Sequence, residues 1–428
     1  MGFGDVFSPD QGQVPYSWLY ARLPDGQVLK DGDSVQSTLP DVPYWSRCYT
    51  RSFMLAASYY ADPCLQGEYL RCDPYGEYAP IDGAAQTVEQ FLFFDPDLRP
   101  ADPRKLPLSR LFGAPCGSLV ARTGFDLFEP RTVVASFKIG QVMFKNHQHR
   151  DSGQFQIFYR DMLALDSGVY ESSVPGAAYR SEHRMNYMRH TIAHNCMVFP
   201  DSRVPHDHGG QRCDEGDPHY NGLADLLVDP EAAFARQLCA HTDDDVSWAS
   251  ADLAPAYGPR VKSYVRSFVF VSTGEREAPA VVLVYDHALP AGTAEPVWLL
   301  HTQTCPEIGP NGFRVTNGGC LTGRFFVGEG ARVEKVGGPG HEYDTFGVEH
   351  PAPDFPLARS QSGRWRVQLR GKTGGDFECL TVMTVSEPGA ALPPVRARLT
   401  PDGAEAEVCG RRFRFARDGM IRQEVIEG

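Results

Sequence analysis

Two histidines flank a single glutamine in NHQHRDSGQFQIFYRDMLALDSGVY, the stretch from Asn146 to Tyr170. His147 and His149 carry imidazoles, which titrate near neutrality and ligate metals, and carboxylates follow at Asp151 and Asp166. A further histidine, His194, stands among apolar residues in NYMRHTIAHNCMVF (Asn186 to Phe199). There it needs a hydrogen-bonding partner or a metal. Two imidazoles and one carboxylate make a zinc set, tetrahedral with one further position for water or another ligand. His149, Asp166 and His194 would supply it, leaving His147 to face the other way. The same side chains can equally be structural histidines satisfied by hydrogen bonds. Alternate positions of a regular strand share a face, so separating His147 from His149 requires a kink.

The elements around these residues follow from pattern. Phe155, Ile157 and Tyr159 alternate with Gln154 and Gln156, which predicts a strand with one apolar face. Arg160-Asp161 reads as a tight turn, and Met162–Leu165 returns antiparallel, bringing Asp166 roughly opposite Phe155. His149 reaches Asp166 only if the loop 150–153 folds back, with Gly153 free to take unusual angles. The alternation in NYMRHTIAHNCMVF predicts a third strand, with Ile192, His194, Cys196 and Val198 on one side.

Further out, SFMLAASYYAD and AAQTVEQFLFFD carry apolar residues at helical spacing and predict two helices before Pro100. Asp95-Pro96 closes the second. RPADPRKLP (Arg99 to Pro107) reads as a linker. Beyond it the pattern is β: RTVVASFKIG is a strand, and Thr273-Gly274-Glu275 interrupts two apolar runs as a hairpin would. GRWRVQLRGKTGGDFECLTVMTV repeats that form with Lys372–Gly375 as the turn, and AEAEVCGRRFRF closes on a hairpin near Gly410. The expected architecture is mainly β. A short helical region (1–98) and a linker (99–107) precede a large antiparallel β-sandwich (108–335) and a smaller C-terminal β domain (336–428).

Composition bounds the function. A formal charge of −13 excludes a non-specific nucleic-acid binder but leaves room for an acidic polysaccharide in a locally basic cleft. The 11 cysteines form no CxxC pair, so neither a zinc ribbon nor a disulfide framework is indicated. No segment approaches the roughly 20 apolar residues that span a bilayer. MGFGDVFSPDQ lacks a basic stretch followed by an apolar run, so the expectation is a cytoplasmic protein, or a periplasmic or secreted one if a leader precedes it.

Arg150, Arg180, Arg184 and Arg189 crowd the histidine motifs. Their guanidinium forks match sulfates and carboxylates, which makes Arg150, Arg184 and Arg189 candidates for substrate binding. Pairing with Asp151, Asp161 or Glu182 is the competing role. His206 and His208, beside a Gly-Gly turn, read as solvated or backbone-bonded rather than as a second metal site, and His301 as a satisfied strand histidine.

The wording of these motifs adds to their types. NHQHRDSGQFQIFYRDMLALDSGVY, YRSEHRMNYMRHTIAHN and DHGGQR resemble the β-sandwich half of the heparinase II/III-like polysaccharide lyases. RLPDGQVLKDGDS, LPLSRLFGAPCGSLVARTGFD, WLLHTQTCPEI and GGPGHEYDTFGVE are similar to the same group in the same order. The resemblance implies an N-terminal α/α toroid against stacked β-sheets, and structural zinc held by His149, Asp166 and His194. It makes His147 the catalytic histidine and Tyr179 its companion, with Tyr187 the competitor and Tyr170 part of the strand-end packing. Only the toroid's last helices have counterparts here, so the groups it would carry cannot be assigned. Tyr16, Trp18, Tyr20 and Arg22 read as core rather than cleft lining.

A lyase of this kind removes the proton α to a uronate carboxylate and expels the 4-linked sugar. It needs charge neutralisation at the carboxylate, a base at the proton and an acid at the leaving oxygen. His147 is expected to be base or charge stabiliser and Tyr179 to transfer a proton, with heparin or heparan-like chains the first-choice substrate. A metallohydrolase is disfavoured, because Ser152 follows Asp151 where that motif would place a second histidine. The remaining alternative is an incomplete lyase that acts as a carbohydrate-binding or structural protein. In a further variant the missing toroid comes from a partner chain or an oligomeric neighbour.

Overall fold

A computed structural model of the chain describes residues 7–33, 50–71, 83–115, 117–126, 129, 131–144, 147–171, 173–204, 207–212, 223–355 and 362–426. The chain divides into two compact units. The first comprises residues 1–29, 35–107 and 124–132, and the second comprises 30–34, 108–123 and 133–428.

In the first unit the described helices are Val14–Ala21, Thr50–Tyr60, Pro63–Arg71 and Gly83–Phe93. The two helices predicted from apolar spacing are Thr50–Tyr60 and Gly83–Phe93. Pro63–Arg71 begins with proline where a helix tolerates it, and the Asp62 carboxylate accepts from the free Cys64 and Leu65 N–H groups. Tyr16, Tyr20 and Arg22 are buried, and Arg22 pairs with the equally buried Glu68. They are core, as their types suggested. The stretch expected as a linker is built into this unit: Ala101 N–H donates to Pro63 O, and a 3-10 turn forms over Pro103–Lys105.

The second unit is β. Its first sheet runs β1 (Ser109–Phe112), β2 (Ser118–Arg122), β3 (Val134–Lys138), β4 (Phe155–Tyr159) and β5 (Asp161–Ala164) in sequential antiparallel order. The chain continues through β6 (Met197–Val198), β7 (Arg236–Thr242), β8 (Val246–Asp252), β9 (Val261–Ser272), β10 (Ala280–Pro290) and β11 (Val297–Thr302). After β12 (Glu307–Gly309), β13 (Gly312–Asn317), β14 (Gly319–Val327) and β15 (Arg332–Gly337) comes the short hairpin β16 (Asp344–Thr345) and β17 (Val348–Glu349). β18 (Trp365–Arg370) and β19 (Phe377–Ser386) precede a last meander, β20 (Val395–Thr400), β21 (Gly403–Val408), β22 (Arg411–Ala416) and β23 (Ile421–Val425).

An eight-stranded sheet in the order β12-β13-β14-β19-β10-β9-β8-β7 lies at the centre of the unit. One face, with Phe268, Val282 and Met383, packs into a core shared with Phe137 and Phe155 of the first sheet and Trp298 and Val367 of the sheet β15-β18-β11-β6. The other face, with Val269, Leu283 and Val382, packs on Ala406, Phe413 and Phe415 of the last sheet. Strands covered on both sides read as continuous apolar runs, as β9 and β10 do. Each large side chain so buried contributes about 1.5–3 kcal/mol.

The β9–β10 hairpin pairs Ser272 with Ala280 across the predicted turn, and the β21–β22 hairpin closes at Gly410. The expected hairpin over 365–385 is a correction. Both strands form, but β18 pairs with β11 and β15, and β19 pairs with β10 and β14. The 371–375 turn is held instead by the preceding connection: Gly371 N–H donates to Pro296 O and Gly374 N–H to Ala294 O. A four-residue turn does not choose a strand's partner when both flanks are apolar on two faces. For the same reason a domain boundary at 335/336 does not follow the sheets, because β18 and β19 complete layers begun before it. No described helix is long and apolar enough to cross a membrane.

Candidate functional site

β4 and β5 form the expected hairpin, turning at Arg160 with φ 64°. Beyond β5, Leu165 N–H donates to His301 O and Ser167 N–H to Ala193 O, so Asp166 is held between two neighbouring segments. Gln154 Nε2 donates to Asp166 Oδ2 at 3.0 Å, leaving Oδ1 turned to His194, whose Nδ1 lies 3.1 Å away.

His194 does not arrive on a strand. The predicted strand over 186–199 is instead a π-helical turn at Arg184–Met188, a 3-10 turn at Thr191–Ala193 and only two extended residues in β6. Alternation misleads here because every residue from Thr191 to Phe199 is buried, so period-two spacing separates no faces. Asn195 supplies the missing ladder: Nδ2 donates to Phe155 O and Leu165 O, and Oδ1 accepts from His301 N–H.

The kink required between the two leading histidines is present: His147 adopts φ 60°, a left-handed conformation uncommon outside glycine. His147 is thereby left 55% exposed while His149 is only 1% exposed. Gly153, at φ +87°, folds the loop back, and a β-carbon there would lie 2.4 Å from Leu253 Cδ1.

The structure brings His149, Asp166 and His194 together, with one possible ligand atom from each within 4.8 Å of the others. His149 Nδ1 and His194 Nε2 are buried without a hydrogen-bond partner, and His194 Nδ1 and Asp166 Oδ1 have only each other, at 3.1 Å. Orphaned lone pairs facing one another in a dry site are what a divalent cation would satisfy, and two imidazoles with one carboxylate suit zinc. Burial opposes the charge on Asp166, yet His194, Lys30 and His149 around it hold its carboxyl well below the usual range. Burial also pushes the His149 imidazole down, favouring the neutral ligand form. Among the described residues His208 joins no such cluster; its ring lies 5.7 Å from that of His190. His206 lies outside the described residues. His301 is a buried β11 residue whose backbone N–H and Nδ1 share Asn195 Oδ1.

On the open side, the rings of His147 and Tyr179 are 5.6 Å apart, and Tyr179 is 41% exposed. Tyr187 is fully buried, with its hydroxyl 3.2 Å from Ser167 Oγ, and burial pushes its pKa up. Only Tyr179 of the two stands beside His147. The three arginines differ. Arg184 is buried, stacks 4.1 Å from the Tyr179 ring centroid and donates to Asp33 Oδ2. Arg150 is buried, with Nη1 at Met143 Sδ, and Arg189 is half-buried beside Met185.

Sequence reasoning missed Asp33. Its Oδ2 lies 2.7 Å from His147 Nδ1, and its Oδ1 lies 3.0 Å from His149 Nε2. Burial raises its pKa, but hydrogen bonds from His149, Arg184 and His147 outweigh that and hold it well below the carboxylate range. Lys30, also missed, is buried and donates to Asp166 O and Gly168 O. Lys138 bridges Asp31 and Asp151. The available signal was the KDGD run at 30–33, two acids around a glycine, which carries no periodicity.

The heparinase II/III-like C-terminal family model matches residues 114–377. Among solved structures, the heparan sulfate lyase HepC from Pedobacter heparinus superposes with a TM-score of 0.58 at 15% identity, covering 96% of this chain and 52% of its own. The heparinase III BT4657 gene product gives 0.59 at 14% identity, with 96% and 52% covered. A further heparinase III gives 0.57 at 12%, with 96% and 53% covered. No curated protein matches the chain. The chain thus spans about half the length of these structures, and at such identities the likeness is one of fold. With the family model covering more than half of its residues, this chain belongs to the heparinase II/III-like family.

Proposed function

We propose that the chain is the β-sandwich half of a polysaccharide lyase that cleaves uronic-acid-containing chains by β-elimination, with heparin or heparan-like glycosaminoglycans first. One observation carries this reading: an exposed histidine and an exposed tyrosine stand side by side above a buried cluster of polar residues. With Nδ1 against Asp33, His147 presents Nε2 outward, where it can take the α-proton or, protonated, face the carboxylate on which charge builds. Tyr179, with the Arg184 guanidinium 4.1 Å from its ring centroid, can pass a proton to the leaving sugar oxygen. His149, Asp166 and His194 would hold zinc, which supplies a fixed anchor that rigidifies the three segments bearing them.

A second reading follows from the span. The matched structures are about twice as long, so groups outside this sequence would complete the cleft. Alone, the chain would then bind an acidic polysaccharide without cutting it. The test is a panel of heparin, heparan sulfate, chondroitin sulfate, hyaluronan and alginate, followed by ultraviolet absorbance of the unsaturated product. A rise with one substrate supports the lyase. Binding with a flat trace supports the second reading, and neither binding nor a rise removes both.

A further inference from the structure

We infer that Asp33 is a positioning residue that sets the proton placement of two histidines at once and so couples the metal cluster to the exposed imidazole. An ionised carboxylate accepts hydrogen bonds and cannot donate them. His147 must therefore present its proton at Nδ1, 2.7 Å from Oδ2, which leaves the lone pair at Nε2 on the open side. His149 must present its proton at Nε2, 3.0 Å from Oδ1, which leaves the lone pair at Nδ1. That Nδ1 is the buried, unpartnered atom of the cluster with Asp166 and His194. Arg184 Nη2, 2.9 Å from Oδ2, supplies the compensating charge and ties the Tyr179 platform to the same carboxylate.

The backbone is arranged to hold Asp33 in place. Its N–H donates to His147 O, Gln156 Nε2 donates to Lys30 O, and Lys30 Nζ donates to the carbonyls of Asp166 and Gly168. The segment 30–33 thus grips the histidine loop and the aspartate segment together. A carboxylate that orients a ligating histidine is a recurrent way of fixing tautomer and ring angle. Here the same group serves a second, non-ligating histidine as well.

The coupling to catalysis rests on the lyase reading, whereas the coupling to metal does not. The test therefore starts with zinc alone. Zinc affinity is measured by competition with a chromophoric chelator for wild type, Asp33→Asn, Asp33→Glu and Asp31→Asn. Asp33→Asn, nearly isosteric but carrying an NH2 that must oppose one imidazole proton, is expected to weaken zinc by about 10–100-fold. Asp33→Glu, which keeps the acceptor-only group, is expected to recover part of that loss. Asp31→Asn, in the same segment but bonded to Lys138, is expected to bind like wild type. Wild-type affinity in Asp33→Asn, no recovery in Asp33→Glu, or an equal loss in Asp31→Asn would each overturn the inference. On whichever polysaccharide wild type cleaves, Asp33→Asn should lower kcat with KM little changed, and a change in KM alone would overturn the catalytic half. If wild type cleaves none, the zinc comparison still decides the metal half.

Discussion

Gly32 and His147 meet backbone to backbone: a β-carbon at residue 32 would lie 2.3 Å from the His147 carbonyl oxygen. Gly32 also sits at φ +59°, so two independent constraints exclude any other residue there. The contact sets the depth at which Asp33 enters the histidine pair. Gly32→Ala is expected to destabilise the chain by about 1–3 kcal/mol through strain at that φ and displacement of the loop. Urea denaturation checks it. An unchanged midpoint would mean the approach of residues 32 and 147 is not maintained in solution.

Removing metal is predicted to loosen the site before it alters the rest. About one zinc per chain should be found by elemental analysis, since one group of three potential zinc ligands, His149, Asp166 and His194, is present among the described residues. Chelation should lower the melting temperature and open the loops around 147–153 and 190–196 to proteolysis, because buried lone pairs would lose their counter-charge. A folded, active chain without metal would contradict this.

His183 supplies a pH dependence whose sign can be worked out. Val169 N–H donates to its Nε2, so Nδ1 carries the proton and donates to His350 O, and the buried ring is neutral. Burial lowers its pKa from 6.5 to about 4. Below pH 6.5 the unfolded chain takes up a proton that the folded chain refuses until about pH 4. The stability it contributes is therefore complete above pH 6.5 and is lost as pH falls towards 4, at up to about 1.4 kcal/mol per pH unit. Denaturation curves at pH 7 and pH 5 should separate for wild type and separate less for His183→Gln. An equal separation in both would assign the effect elsewhere.

The fully buried pair Arg266–Asp286 is expected to be costly to break. Arg266 Nε lies 2.7 Å from Asp286 Oδ1, and its Nη1 donates to Gly153 O and Asn195 O, so the central sheet holds both loops that carry the site. Asp286→Ala would leave a buried guanidinium unpaired and should cost about 3–5 kcal/mol. A loss below about 1 kcal/mol, the range of a surface pair, would contradict that reading.

Legibility in the sequence followed range. Hairpins such as β9–β10 and β4–β5 are decided by neighbours within a few residues, and alternation with a turn signal was enough to place them. The partners of β18 and β19 are decided by layers formed by strands far away, which no local pattern encodes. The 186–199 segment failed for a related reason, since complete burial erases the contrast that alternation reads. Among site residues, the histidines and Asp166 announced themselves by type, whereas Asp33 acts on histidines 114 and 116 positions away. Its acidity in a polar loop resembled ordinary solvation.

The most direct test of the account is the rate of unsaturated-product formation on heparan sulfate by the zinc-loaded chain, compared with His147→Ala and Tyr179→Phe. The account predicts measurable β-elimination by wild type and a loss of at least about a hundredfold in each variant, the scale of a general acid or base. Wild-type rates in either variant would contradict the assignment of His147 and Tyr179, and no elimination by wild type on any uronate polysaccharide would contradict the lyase itself.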